Sequence, residues 1–372
     1  MSKLNNLQLL RAFAALSVVL YHSGIESTSV CTATGQGCVY DFWIGGLGVP
    51  LFFMISGFIM VVTSWEHFTG PQASWDFMMR RLLRIVPLYW LVTTIAVVGV
   101  WFVPSMLNVA VLDPGYVASS YMFWPVERLN GLVRPIANLG WTLNLEMMFY
   151  AVFSMALLFD RRRGLEYCIF ALLALVTFQV SGIFTANESL ASVPLNFWGD
   201  PIILNFIVGM LIGVAYRQGI KITGSQSLIL LGVAIILGLA LFDIRHWFAG
   251  LSENAVLNRL YDMPSLLVLF VAAALGPQLT GVGHLTRAGL LIGDASFSLY
   301  LIHPFVLRIF TKLWEKGIAA HLPVWSFTIF CVCGALAAGL ALYFLFEKPL
   351  NRRLGKLNLK TRPKRPASIV PA

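Results

Sequence analysis

The chain has 372 residues, of which 58% are hydrophobic and 12% are charged, and its mean hydropathy is +0.78. An ordinary soluble domain is about 45–50% apolar and about 25% charged, so this composition excludes a soluble globular enzyme. The 27 Phe, 11 Trp and 11 Tyr residues exclude a disordered chain, because water does not tolerate that much exposed apolar surface. The protein is therefore expected to reside in a lipid bilayer.

The apolar residues fall in ten runs, and a membrane-spanning helix needs about 20 such residues. This pattern predicts an all-α, polytopic membrane protein of about ten transmembrane helices. The first run carries Arg11 and lacks a small-x-small cleavage site after it, which favours a membrane helix over a signal peptide. The predicted spans are residues 7–24, 44–64, 82–103, 141–158, 166–185, 198–217, 225–243, 262–277, 288–308 and 323–346.

The distribution of positive charge predicts the orientation of the chain. Of the 26 Lys and Arg residues, 18 fall on the side of the two termini and seven on the opposite side, while Arg11 lies within the membrane. Positive charge marks the cytoplasmic side, so both termini are predicted to be cytoplasmic. The net charge of +9 is attributed to this topology rather than to nucleic-acid binding. Residues 308–321 run against the rule, because they carry three positive charges on the predicted outer side.

These patterns divide the chain into a transmembrane domain, residues 1–348, and a tail, residues 349–372. The tail is basic and proline-containing, and it is predicted to be disordered, with a charge suited to anionic lipid headgroups. Cys31 and Cys38 share the first outer loop, where an oxidising compartment would permit a disulfide, although their spacing alone does not decide whether one forms. No group of Cys, His and carboxylate residues has metal-ligand spacing, so no metal is predicted.

Ionisable side chains inside the predicted spans are candidate site residues, because each costs on the order of 2.5–3.5 kcal/mol to insert. Arg11 and His22 are eleven residues apart, which places them on one helix face about 16 Å apart along the axis. His22, Glu146 and His303 are predicted at a similar depth near the outer surface, where a carboxylate could orient an imidazole that acts as a base. An interface histidine bonded to a carbonyl is the alternative for His22. The ionisable residues are Arg11, His22, Glu146, Asp294 and His303, accompanied by the polar Ser56, Asn144, Ser298 and Tyr300.

Three arginines, Arg80, Arg81 and Arg84, begin the third predicted span on its inner side. Two interpretations of this cluster remain open. It could be a positive-inside anchor, or its guanidinium groups could bind the phosphates of a cytoplasmic substrate bidentately.

Five segments in order carry a resemblance to a known family: LQLLRAFAALSVVLYH at 7–22, GVPLFFMISGF at 48–58, RRLLRIVPLYW at 80–90, WTLNLEMMFY at 141–150 and GDASFSLYLIHP at 293–304. In these segments the chain resembles the acyltransferase 3 family of membrane acyl-CoA-dependent transferases. Within that family it is most similar to bacterial exopolysaccharide O-acetyltransferases of the inner membrane.

The resemblance implies transfer of an acyl group, commonly acetyl, from cytoplasmic acyl-CoA to a hydroxyl of a cell-surface or exopolysaccharide glycan. No tightly bound cofactor is implied, since acyl-CoA is a substrate. The family pattern marks His22 as the essential histidine, with Glu146 as a second catalytic candidate. The substrate-binding candidates are Arg11, Arg80, Arg81, Arg84, Ser56, Tyr300 and His303.

The residues leave two questions of mechanism and class open. His22 could remove a proton from the acceptor hydroxyl, or it could carry the acyl group as an acyl-histidine intermediate. A transporter of glycan precursors would also use ten helices and intramembrane charge, although the sequence has no evident paired halves. A structural subunit of a polysaccharide assembly complex would leave Arg11 and His22 without a purpose.

Overall fold

The computed structural model describes residues 4–35, 43–102, 113–128, 131–182, 192–247, 262–280, 283–317 and 322–360. These ranges are helical and contain no β-strand. Short 3-10 helices at Trp43–Leu47 and Pro201–Ile203 precede α2 and α8, and a π-helical turn at Tyr343–Glu347 follows α13. The α-helices are α1 Asn5–Thr34, α2 Gly48–Ser64, α3 Pro71–Phe102, α4 Pro114–Tyr121, α5 Gly140–Ala156, α6 Arg161–Val180, α7 Ser192–Trp198, α8 Leu204–Arg217, α9 Gly224–Trp247, α10 Met263–Leu275, α11 His284–Asp294, α12 Ser296–Glu315, α13 Val324–Leu342 and α14 Lys348–Lys360.

The predicted all-helical membrane architecture is confirmed, but the predicted number of spans is not. Within the described ranges, six helices are long and apolar enough to cross a membrane, or up to eight if each of two bent pairs is one span. Helices α5 and α10 have 17 and 13 residues, which is less than the about 20 that a full span needs. Ten apolar runs therefore do not translate into ten full-length spans. The cytoplasmic position of the termini stays a prediction.

Two predicted spans are broken where the sequence suggested one continuous helix. The 198–217 run belongs to α7 and α8, which meet at 44°, and the 288–308 run belongs to α11 and α12, which meet at 77°. At the second break, Gly293 lies so close to α1 that a Cβ there would be 2.1 Å from the carbonyl oxygen of Gln8. This approach brings Asp294 and Ser296 against the start of α1.

The end of the chain also differs from the prediction. Residues 349–360, assigned to a disordered tail, continue as helix α14 after the π-helical turn. Leu350 and Leu354 are spaced four residues apart among charged residues, which favours a helix at an apolar–polar boundary. Residues 361–372 lie outside the described residues.

The centre of the molecule is an aromatic and small-residue core. The ring of Phe206 on α8 stacks between those of Phe53 and Phe149, with centroids 4.4 and 4.1 Å apart. Glycines allow α2 and α8 to pack backbone to backbone: a Cβ on Gly57 would lie 2.1 Å from the carbonyl oxygen of Phe206, and one on Gly209 would lie 1.9 Å from that of Met54. Close approach through small residues is typical of helix pairs in membranes.

Replacing Gly209 by valine is therefore expected to lower the stability of the fold by about 3 kcal/mol or more, because the new side chain would overlap the backbone of α2. The measurement is the thermal midpoint of the detergent-solubilised protein, followed by size-exclusion chromatography. Gly232→Val on α9 is the matched control, since nothing lies within 4 Å of a Cβ at that position. Equal midpoints for the two variants would contradict the packing described for α2 and α8.

Candidate active site

Arg11 is held at the junction of α1 with the α11–α12 break. Its Nη1 donates to Gln8 Oε1 at 3.0 Å, and its Nη2 donates to Ser296 Oγ at 2.9 Å. Gln8 in turn donates from Nε2 to Asp294 Oδ1 at 2.7 Å. The guanidinium group is thus positioned by neutral partners, while Asp294 orients Gln8 rather than pairing with Arg11 directly.

His22, further along α1, contacts His303 of α12. The Nε2 atom of His303 lies 3.3 Å from Nδ1 of His22, and the ring centroids are 5.2 Å apart. The Nδ1 atom of His22 also lies 2.9 Å from the carbonyl oxygen of Val18, and Nδ1 of His303 lies 3.2 Å from that of Leu299. The two histidines predicted at similar depth are therefore in contact.

These partners decide which ring nitrogen carries the proton in the neutral pair. A carbonyl oxygen can only accept a hydrogen bond, so Nδ1 of each neutral histidine is the donor. Nε2 of His303 then accepts from Nδ1–H of His22, which is shared with the Val18 carbonyl. Nε2 of His22 keeps a free lone pair in this arrangement and is the basic atom of the pair.

Glu146, which we predicted to orient His22, has other partners. Its Oε1 accepts a hydrogen bond from Ser56 Oγ at 3.1 Å and another from the hydroxyl of Tyr150. In the part of the chain that the structure describes, Glu146 and His22 share no hydrogen bond, and His303 is the side chain that contacts His22. The prediction was wrong in this contact because depth along a helix does not fix the direction in which a side chain points.

A cavity lies between α1, α2, α3, α5 and α12 and has a volume of about 100 Å³. Its lining includes the three guanidinium groups of Arg11, Arg81 and Arg84 and the carboxylate of Glu146. None of these arginines forms an ion pair with an acidic residue of the described ranges. The cavity is therefore cationic, and it favours an anionic ligand.

The three arginines of the predicted cluster differ in position. Arg81 packs over the rings of Phe77 and Tyr150, at 5.4 and 5.8 Å from the ring centroids. Its buried Nε has no hydrogen-bond partner within the described ranges. Arg84 lines the cavity beside it, whereas Arg80 is exposed and is not among the lining residues. The structure thus separates two arginines that face the cavity from one on the surface.

Tyr300 joins the cavity to the histidine pair. It lines the cavity, its hydroxyl lies 2.8 Å from Thr142 Oγ1, and its ring centroid is 6.1 Å from that of His303. The two histidines are not among the residues that line the cavity. Arg11, Ser56 and Tyr300 line the same cavity, and the ring of Tyr300 lies between this cavity and the imidazole of His303.

Sequence reasoning missed several partners of these residues. Gln8 precedes Arg11 by three residues, so helical spacing could have identified it as a neighbour. Glu347 in the π-helical turn is buried and accepts a hydrogen bond from Ser298 Oγ at 2.5 Å. This contact joins α12 to the turn that follows α13. The periodicity of the sequence does not predict it.

Two of the three positive charges that run against the charge rule have acidic partners. Arg308 pairs with Glu26 of α1 at 3.1 Å, and Thr311 donates to the same carboxylate at 2.9 Å. Lys312 pairs with Glu315 at 2.5 Å. Because Glu26 follows His22 by one helical turn, the Arg308 pair also ties α1 to α12 just beyond the two imidazoles.

Residues 4–344 match a family model described as an acyltransferase domain, which covers nearly the whole chain. The chain belongs to the acyltransferase 3 family. No solved structure matches it.

Several proteins are similar to most of this chain. The exopolysaccharide production protein ExoZ of Rhizobium meliloti strain 1021 is 34% identical over 319 residues, which are 84% of this chain and 92% of ExoZ. The acyltransferase MdmB of Streptomyces mycarofaciens is 24% identical over 396 residues, with 99% of this chain and 95% of MdmB covered. The O-acetyltransferase OatA of Staphylococcus aureus strain NCTC 8325 is 24% identical over 364 residues, which are 92% of this chain and 56% of OatA.

Proposed function

We propose that this member of the acyltransferase 3 family transfers an acyl group, in the first instance acetyl, from cytoplasmic acyl-CoA to a hydroxyl of an exopolysaccharide or cell-surface glycan at the bacterial inner membrane. The observation that carries the proposal is the cationic cavity on one side of Tyr300 with the His22–His303 pair on the other. Similarity to ExoZ and OatA supports a glycan acceptor and an acetyl group.

The cavity has the chemistry that the donor requires. Acyl-CoA carries phosphates, and guanidinium groups bind phosphate oxygens through charge-assisted, often bidentate hydrogen bonds. Helix α3 begins at Pro71, so Arg81 and Arg84 lie within the helix, in the half that we predict to be nearer the cytoplasm, and not at its start as the sequence predicts. Arg11 of α1 lines the same cavity. The about 16 Å from Arg11 to His22 is the distance that the extended arm of the donor must cover.

His22 supplies the base. In direct transfer, Nε2 of His22 takes the proton of the sugar hydroxyl, the hydroxyl oxygen forms a bond to the thioester carbonyl carbon, and the carbon–sulfur bond breaks. The CoA thiolate then leaves and takes the proton from the imidazolium. In the alternative, Nε2 bonds to the thioester carbonyl carbon and the carbon–sulfur bond breaks, which releases the CoA thiolate. The hydroxyl oxygen then bonds to the acyl carbon, the acyl–nitrogen bond breaks, and the hydroxyl proton passes to the thiolate. Both routes need the same lone pair on His22.

A disulfide supports the proposed orientation. Cys31, near the end of α1, is disulfide-bonded, whereas Cys168, Cys331 and Cys333 are free. Disulfides persist in oxidising compartments, which supports an outer position for the end of α1 beyond His22. Cys38, the predicted partner, lies outside the described residues.

The test of this function uses purified protein in liposomes, radiolabelled acetyl-CoA and surface polysaccharide from which the native acyl groups have been removed by mild alkali. The expected result is alkali-labile label on the polysaccharide with stoichiometric release of CoA. Polysaccharide that crosses the liposome membrane without acquiring label would instead indicate a transporter.

His303 is expected to act as a positioning residue, because its Nε2 accepts from His22 and keeps the basic lone pair on the other nitrogen. His303→Phe should lower kcat about tenfold, because the free energy of one hydrogen bond to His22 is lost. KM for acetyl-CoA should not change. His303→Gln, which retains an acceptor oxygen, should recover part of the loss. A Gln variant as slow as the Phe variant would refute the hydrogen-bond role.

A further inference from the structure

A second cavity, here called the outer pocket, has a volume of about 400 Å³ and lies at the far end of α6. This volume is within the range of small-molecule sites, which is about 300–1,000 Å³. Its lining includes the carboxylates of Glu127 and Asp200, the amides of Gln179 and Asn196, and the ring of Phe197. None of these residues belongs to the cationic cavity.

The outer pocket lies on the same side of the molecule as His22. The loop after α2 meets the turn between α5 and α6, since Arg161 donates to the carbonyl oxygen of Trp65 at 3.2 Å and Thr69 N donates to that of Leu157 at 3.0 Å. Helix α6 begins at this end of the molecule. Gln179, near the other end of α6, therefore lies at the opposite end of the molecule. The 3-10 helix before α2 begins on that opposite side, where a Cβ on Gly45 would lie 2.0 Å from the Cβ of Tyr21, the neighbour of His22.

The pocket is built by a close approach of two chain segments. A Cβ on Gly199 would lie 2.4 Å from the Cβ of Gln179, so only glycine lets the α7–α8 junction pack this tightly on α6. The junction is held by Asp200, whose Oδ1 accepts from the backbone N–H of Ile202 at 2.9 Å. Asn196 and Gln179 are thereby brought to one cavity.

Polar atoms around this cavity are buried without partners. Gln179 Oε1, Asn196 Oδ1 and the indole Nε1 of the neighbouring Trp198 have no hydrogen-bond partner among the residues that the structure describes. Buried polar groups in native proteins are nearly always paired, so each such exception calls for a bound water or ligand. Amide and carboxylate oxygens accept hydrogen bonds, and a ligand rich in hydroxyl groups would supply the donors.

One loop forms a wall of the outer pocket and also reaches the candidate active site. Glu127 and Val133 line the pocket and form an antiparallel bridge with each other. Arg128 fixes the loop, because its Nε donates to the Tyr116 hydroxyl at 2.6 Å and its Nη2 donates to the carbonyl oxygen of Pro135. Arg134, the next residue after Val133, stacks on Trp141 with its guanidinium carbon 4.4 Å from the ring centroid.

Arg134 connects this wall to the catalytic residues. Arg134 stacks on Trp141, and the next residue, Thr142, has its Oγ1 2.8 Å from the Tyr300 hydroxyl. In extended backbone, successive side chains point to opposite faces of the chain. Val133 can therefore face the outer pocket while Arg134 faces the candidate active site. A ligand that spans both sites would therefore follow this loop.

We propose that the outer pocket is a second sugar-binding site, which holds one unit of the acceptor glycan while a different unit presents its hydroxyl to His22. This inference rests on the proposed function, because it takes a glycan as the acceptor. The two carboxylates disfavour an anionic ligand, so the bound unit is a neutral or amine-bearing sugar. The hydroxyl groups bond to the amides and carboxylates, and Phe197 packs against the apolar face of the ring.

The test measures binding of fluorescently labelled oligosaccharides to the full-length protein in lipid nanodiscs. The probes come from partial acid hydrolysis of alkali-treated surface polysaccharide and are separated into single sugars and oligosaccharides of one repeat or more. Asn196→Leu and Gln179→Met remove the amides in two independent variants. Thr177→Val is the matched control on α6, since Thr177 is exposed and bonds only to its own helix at Leu173.

Each amide variant is expected to bind the longer oligosaccharide about tenfold more weakly, with the control unchanged, because each loses a hydrogen bond to the sugar. In transfer assays, the amide variants should show a raised KM for the oligosaccharide and an unchanged KM for single sugars. Wild-type affinity in both amide variants would overturn the inference, as would an equal effect on single sugars.

The outcomes separate this inference from the proposed function. Normal acyl transfer with wild-type oligosaccharide affinity in both amide variants would refute the outer pocket as a sugar site and leave the enzyme assignment intact. Oligosaccharide binding that depends on Asn196 and Gln179 in a wild-type protein that transfers no acyl group would support the site and refute the enzyme assignment.

Discussion

Acyl transfer is expected to fall about 10³-fold when His22 is replaced by alanine, which is within the range attributed to a general acid–base group. The loss follows from the tautomer set by the Val18 carbonyl and His303, because Nε2 of His22 is the one basic lone pair that this pair presents. Direct transfer and the acyl-histidine route predict the same loss. The measurement is the rate at which label passes from acetyl-CoA to polysaccharide in liposomes containing equal amounts of each protein.

The matched control is His284→Ala, which removes an exposed histidine at the start of α11 and should leave the rate unchanged. Size-exclusion profiles and protease protection would establish that both variants are folded and inserted. A folded His22→Ala protein that transfers label at the wild-type rate would remove His22 from the mechanism.

The second large effect is expected at the arginines that line the cavity. Arg84→Ala should raise KM for acetyl-CoA by about tenfold to a hundredfold, because it removes a charge-assisted hydrogen bond to a phosphate. The effect on kcat should be smaller, since the phosphates do not change during the reaction. Initial rates at a series of acetyl-CoA concentrations, with saturating polysaccharide, measure both parameters.

Arg80→Ala provides the control for charge at the same end of α3, because Arg80 is exposed and does not line the cavity. A positive-inside anchor would make the Arg80 and Arg84 variants equivalent in KM and similar in membrane insertion. A phosphate site requires that the Arg84 variant alone has a raised KM. Unchanged KM in both Arg84→Ala and Arg81→Ala would contradict the proposed position of the donor.

Much of the helical framework could be predicted from sequence, because hydrophobic runs and helical spacing are local properties. The spacing of Arg11 and His22 placed both on one face of α1, and α1 is indeed one helix through both residues. The same reasoning could not give the number of full spans. The lengths of α5 and α10, and the breaks at Gly199 and Ala295, follow from packing against other helices rather than from composition.

The contacts within the site were less predictable for a physical reason. The predicted depth in the membrane correctly suggested that His22 and His303 are neighbours. It wrongly suggested that Glu146 contacts His22, because the direction of a side chain about its helix axis depends on how the helices pack. Likewise, the pairing of Arg308 with Glu26 depends on α1 and α12 lying side by side. Long-range contacts of this kind leave no periodic signal in one sequence.

The most direct test of the account is the sidedness of the reaction. Protein is inserted in one orientation into sealed liposomes that contain alkali-treated polysaccharide, and radiolabelled acetyl-CoA is added only outside, at the face that carries Arg80 and Arg84. The expected result is label on the enclosed polysaccharide, with release of CoA outside and loss of both signals in His22→Ala. Label that appears only when donor and acceptor are on the same side would contradict a path from the cationic cavity through Tyr300 to the histidine pair.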